Sequence, residues 1–159
     1  MMKIAFLRQW RPFAEVEAHC DIPCGIYDPI AAKIAAQTVQ KMVLRIQALK
    51  APGSSAGEQA AHANTLSRYI TVKEEHADLV KKELDILWHD YFRPDHLEEH
   101  PDLHTTFWNA AKLAGQNKQS VNREAAQQLV NAVDSIAQTF WSTKGVTYSD
   151  AVATARFGT

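Results

Sequence analysis

From Leu66 to Tyr91 the residues Leu66, Ile70, Ala77, Val80, Leu84, Leu87 and Tyr91 fall three and four apart, with Lys73 at the one place in the series that is not apolar. This spacing lays a single stripe along one helix, a coiled-coil-like seam that needs partner helices. Lys73 lies beside Glu74, Glu75 and His76. It reads as a solvated turn or a lysine snorkelling out of the seam, or else as part of a polar patch facing a site elsewhere in the chain.

The partners are legible on either side. Asp28 can cap a helix with Pro29 at its first position, and Ile34, Val39, Met42, Val43 and Ile46 then share a face up to about Leu49. Pro52, Gly53, Ser54 and Ser55 break that helix, and the stretch from Ala51 to Gly57 reads as a flexible connection within one domain. Pro94 and Pro101 bracket the next connection, and Leu103, Phe107, Ala110, Ala111 and Leu113 mark a third helix ending near Gly115. Ser120 offers a cap for a fourth, whose stripe of Ala126, Leu129, Val130, Val133, Ile136, Ala137, Phe140 and Trp141 ends at Gly145. Period-2 alternation is almost absent. The expected fold is all-α: an antiparallel four-helix bundle with an N-terminal hook.

With 159 residues, 46% of them hydrophobic, the chain can bury one core without disulfide staples. Its 17 basic and 18 acidic side chains give no footprint for nucleic acid or anionic lipid, and no apolar run is long enough to span a bilayer. A soluble, single-domain protein is expected. Residues 1–18 carry Lys3, Arg8 and Arg11 and end in Val16, Glu17 and Ala18, yet the apolar stretch from Ile4 to Leu7 is too short for an export signal. They read as a removable leader on a cytoplasmic protein. Residues 146–159 lack a pattern and read as a loose tail or an arm packing on a neighbour.

The hook is the segment His19 to Pro29, which contains both cysteines, Cys20 and Cys24, with Pro23 and Gly25 to turn the backbone. Two thiolates and an imidazole in one tight loop are soft ligands for a metal. A Cys20–Cys24 disulfide is an alternative oxidation product. His96, His100 and His104 would form a ligand row only on an unbroken helix, which Pro101 opposes. A Cys₂His₂ zinc site from Cys20, Cys24, His96 and His100 would need a span far beyond the usual spacing. Trp10, Trp88, Trp108 and Trp141 read as core or interface aromatics.

His19, Cys20, Asp21, Ile22, Pro23, Cys24, Gly25, Ile26 and Tyr27 resemble the signature of the nickel-containing superoxide dismutases. Leu87, Trp88, Asp90, Tyr91, Phe92 and Pro94, then Pro101 and Leu103, resemble that family's second block, and the similarity runs from His19 to about Lys144.

The resemblance implies a precursor cleaved between Ala18 and His19 by a maturation protease. One nickel ion per chain would then be held in a square plane by the His19 α-amine, the Cys20 amide and the thiolates of Cys20 and Cys24, with the His19 imidazole axial in the oxidised state. It further implies superoxide as substrate, a homohexamer of four-helix bundles, a cis Pro23, and Tyr27 and Asp21 around the metal, the phenol limiting access and ordering water; the alternative for Tyr27 is that it simply packs the hook against the bundle. In the family a glutamate and an arginine hold the axial ring. Ala35 and His76 stand in their places here, so that support is altered, and His76 reads either as a partner of the His19 ring, directly or through water, or as a surface histidine. A nickel or copper carrier without redox turnover is the rival reading, and a purely structural helical module a third.

Overall fold

The computed structural model describes residues 25–158. Asp28 accepts the amide of Ile30 at 2.8 Å, but Pro29 rather than Asp28 is the N-cap, so α1 (Ile30–Gln47) starts one residue later than expected, its first turn closed by the Lys33 amide on the Pro29 carbonyl at 3.0 Å. Its core face is lined by Ala32, Ala35, Ala36, Val39 and Val43, all fully buried. Ile34 was expected on this face and is instead 46% exposed. At about 100° per residue it lies across the helix from Ala36, and the small alanines face the neighbouring helices.

A capping box opens α2 (Ala56–Ile86): Ser55 Oγ accepts the Glu58 amide at 3.2 Å while Glu58 Oε2 accepts the Ser55 amide at 3.1 Å. The seam is buried at Ala77, Val80, Leu84 and Leu87 and half-buried at Leu66, Ile70 and Tyr91. Its last residues, Leu87–Tyr91, widen into a π-helical turn closed by the Phe92 amide on the Leu87 carbonyl at 3.0 Å. Such turns shift the register of the side chains that follow. Pro94 at N1 then starts a short helix, α3 (Pro94–Glu99), inside the expected connection.

Lys73 follows neither expectation. It is 2% exposed, and its Nζ donates to the carbonyl oxygens of Asn117, Lys118 (2.9 Å) and Ser120 (3.2 Å), the frayed C-terminal end of α4 (Leu103–Gln119). An ammonium there satisfies orphan carbonyls and faces the negative end of the helix dipole. Burial draws its pKa below the usual lysine value. The helix continues past Gly115, and Asn117, fully buried, donates Nδ2 to Leu113 (2.9 Å) and to Ala125 (3.0 Å) of the next helix. The N-cap of α5 (Arg123–Ser142) is Asn122, whose Oδ1 accepts the Ala125 amide at 3.0 Å. Ser120, expected there, donates back to Gln116 at 3.0 Å and belongs to α4.

At its far end α5 closes in a Schellman motif: Val146 N–H bonds Trp141 O (2.9 Å), Gly145 N–H bonds Ser142 O (2.9 Å), and Gly145 has φ +68°. Helix α1 packs on α2 and α5, and α4 packs on α2 and α5, closing a four-helix ring around Val39, Val80, Leu84, Leu103, Phe107, Leu129, Val133, Ile136 and Phe140. The short connections make successive helices antiparallel. Among the described residues there is no strand, and no helix is long and apolar enough to cross a membrane.

Residues 146–158 fold back onto α1 of the same chain. Asp150 takes both guanidinium nitrogens of Arg156 (2.9 and 2.8 Å) and lies 3.6 Å from Lys33, a 3% exposed lysine also paired with Asp134. Tyr148 donates to Asp134 at 3.2 Å, and Arg156 and Ala153 of α6 (Ala153–Phe157) bond the Gln37 side chain at 3.2 Å each. The Arg156 hydrogen bonds hold the Asp150 carboxyl below its ordinary pKa, whereas burial and the two carboxylates push the Tyr148 phenol well up. No apolar core holds this arm. Its specificity comes from charge pairing, which periodicity does not reveal.

Candidate metal centre

The leader 1–18 and the hook residues His19, Cys20, Asp21, Pro23 and Cys24 lie outside the described residues, as do the expected cis bond and the alternative disulfide. The structure takes up the chain at Gly25, directly after Cys24. Gly25 has φ +68°, a left-handed conformation that a side chain strains, so the exit from the hook requires this glycine.

Two residues later Tyr27 packs on Tyr91, ring centroids 5.5 Å apart and tilted by 55°. Gly25, Tyr27, Asp90, Tyr91, Arg93, His96 and Thr143 line a cleft of about 250 Å³ at this end of the bundle. The π-helical turn delivers Tyr91 to the cleft, where its ring also meets Phe140 (4.4 Å) and stacks on His96 (5.5 Å, 23°). Lys144 Nζ sits 5.1 Å from the centroid of the same ring. His96 is buried, and its Nδ1 accepts the Arg93 amide at 3.3 Å, which puts the ring proton on Nε2 in the neutral form.

Of the candidate residues, then, Tyr27 stands in the cleft. His76 does not: it lies half-buried on α2, its Nδ1 2.8 Å from Val72 O, fifteen residues before Tyr91 and hence about 22 Å away along the helix. Ala35 is fully buried in the core. The histidine row is broken up, with His96 against Tyr91, His100 3.4 Å from Ser142 Oγ and His104 edge-on to Trp88, and among the described residues no group of three metal-ligating side chains forms. Trp88 and Trp141 pack on the core, whereas Trp108 is 56% exposed beneath Lys112. Tyr91 and Thr143 join the cleft across 52 residues of sequence, a pairing no local pattern signals.

The donor set fits nickel. Two cysteine thiolates beside a histidine, with an amine at His19 if the chain is cut before it, are a nitrogen and sulfur donor set within six residues of the kind that suits Ni(II).

Comparison with known proteins agrees with this chemistry. The family model for nickel-containing superoxide dismutase matches residues 14–144. The Streptomyces seoulensis protein named superoxide dismutase [Ni] is 37% identical over 137 residues, covering 86% of this chain and 96% of the relative. Its Streptomyces coelicolor counterpart is 34% identical over the same length. A crystal structure of Ni-containing superoxide dismutase with nickel ligation corresponding to the oxidised state shares 35% identity and a TM-score of 0.67, over 80% of this chain and all of that one. These relatives are named as enzymes, which favours catalysis over the carrier reading. The chain belongs to the nickel-containing superoxide dismutases, which use nickel to disproportionate superoxide into dioxygen and hydrogen peroxide.

Proposed function

We propose that the enzyme is made as a precursor, that a maturation protease cuts between Ala18 and His19, and that the new His19 amine, the Cys20 amide, the thiolates of Cys20 and Cys24 and the His19 imidazole would hold one nickel ion. The observation that carries this reading is the geometry at Gly25, where the hook leaves its last thiolate in a left-handed turn and delivers Tyr27 to Tyr91 at the cleft. When bound, nickel supplies the one-electron couple that oxidises one superoxide and reduces the next. The remaining work falls to the chain.

Two superoxide anions and two protons become one dioxygen and one hydrogen peroxide, so the site must admit a small anion and bring protons to it. Tyr27 narrows the approach and orders water, with Asp21 beside the ligands. Arg93 at the cleft and Lys144 behind Tyr91 add positive charge along the anion's path. The thiolates, as strong donors, set the potential.

His76 is too far along α2 to hold the imidazole of its own hook: six residues separate His19 from Gly25, and curling around a metal shortens their reach well below the roughly 20 Å of an extended chain. In this reading His76 would meet a His19 ring only across a subunit contact, as in the homohexamer we propose.

The test is intact mass and dismutation measured on the same nickel-supplied preparations. Activity is expected only where the chain begins at His19, because an amide at that nitrogen is a poor donor. Dismutation by nickel-loaded protein that still carries Ala18 refutes the amine-ligand scheme.

A further inference from the structure

Tyr91 Oη and Thr143 Oγ1 lie 2.6 Å apart, and distance alone allows either hydroxyl to donate. The end of α5 decides between them. Thr143 Oγ1 is also 2.7 Å from the carbonyl oxygen of Phe140, an atom that can only accept. The amide that would serve this carbonyl in a continuing helix, that of Lys144, bonds Trp141 instead at 3.1 Å, and Phe140 is fully buried. The Thr143 hydroxyl is therefore its donor, since an unmet buried carbonyl is unfavourable. Thr143 has one proton, and it is committed to Phe140.

The structure assigns Thr143 as a positioning residue for dismutation: it takes the Tyr91 phenol's hydrogen bond onto its own Oγ1 in the cleft wall, leaving Tyr91 Oη able only to accept from a group bound in the cleft. This inference rests on the nickel dismutase reading. Superoxide is itself an acceptor, so Tyr91 oriented in this way cannot bind it directly. It holds a donor instead, a water or another hydroxyl, with its proton turned so that it can pass to the substrate. The Schellman turn at Gly145 matters to this device because it is what diverts the Lys144 amide and leaves the Phe140 carbonyl open to Thr143.

The experiment compares Thr143→Val, Thr143→Ala and Thr143→Ser in the full chain. Without metal, proton NMR of the Tyr91 hydroxyl should show a slowly exchanging proton with a through-space contact to the side chain at 143 in the wild type and in Thr143→Ser, lost in the other two. With nickel supplied and the His19 terminus formed, Thr143→Val and Thr143→Ala should lower dismutation per bound nickel by about two- to tenfold, the range of one hydrogen bond, and change its pH profile, with nickel content kept and Thr143→Ser restoring both. A Tyr91 hydroxyl proton directed at Tyr27 in the wild type overturns the assignment. So do unchanged rates in both Thr143→Val and Thr143→Ala. A wild type with the expected hydroxyl contact but no dismutation at a His19 terminus overturns the enzyme reading and the positioning role with it, whereas an active wild type lacking that contact overturns the role of Thr143 alone.

Discussion

Replacing Lys73 with methionine keeps the packing of its aliphatic stem and removes the ammonium from the carbonyls of Asn117, Lys118 and Ser120. A hydrogen bond to a charged group contributes about 1.5–3 kcal/mol, but three such bonds do not sum, because the burial that pulls the Lys73 pKa down offsets part of the gain. What the substitution leaves behind is a buried helix end with unmet acceptors, in a region where Asn117 Oδ1 already lacks a partner among the described residues. A net loss of about 3–5 kcal/mol follows, comparable to breaking a buried ion pair. At about 2–4 °C per kcal/mol for a domain of this size, the melting temperature should fall by roughly 6–20 °C. Thermal and guanidinium melts of the full chain measure it. Lys73 lies eighteen residues from Tyr91, about 27 Å along α2, so dismutation per bound nickel should not change. A stability loss below about 0.5 kcal/mol, within the range of ordinary surface changes, would refute the capping argument. A fall in activity per nickel at unchanged stability would restore Lys73 as part of a patch facing the hook.

Cys20→Ser and Cys24→Ser should each abolish dismutation while helical content by circular dichroism stays nearly intact, because the bundle core is built from other residues. His76→Ala should lower turnover more than nickel content, read as steady-state rate per bound nickel in the assembled enzyme; equal losses would make it a structural residue. Asp150→Asn should reduce stability at neutral pH by about 1–2 kcal/mol by weakening the pairs to Arg156 and Lys33. Because the folded-state pKa of Asp150 is depressed, its contribution is complete above about pH 4, the unfolded value, and fades as pH falls through the folded one. The gap in denaturant midpoint between wild type and Asp150→Asn should therefore be wide at pH 6 and shrink progressively as the pH falls below about 4.

The sequence by itself determined the helices. The three-and-four spacing from Leu66 to Tyr91, the stripe from Ala126 to Trp141 and the breaks at Pro52 and Gly145 are local patterns, and local patterns report local geometry. Only the tertiary structure decided where the polar exceptions go. Lys73 meets Asn117 across 44 residues, Tyr91 meets Thr143 across 52, and Gln37 meets Arg156 across 119. The same holds for the helix ends: Gly115 is carried inside α4, and Ser120 gives up the cap to Asn122, once Lys73 and Asn117 fasten that corner. The physical reason is one of range. Periodicity says which face of a helix is apolar, whereas a buried charge or hydroxyl is tolerated only where the fold brings it a partner, and that partner is chosen by three-dimensional proximity rather than by spacing along the chain.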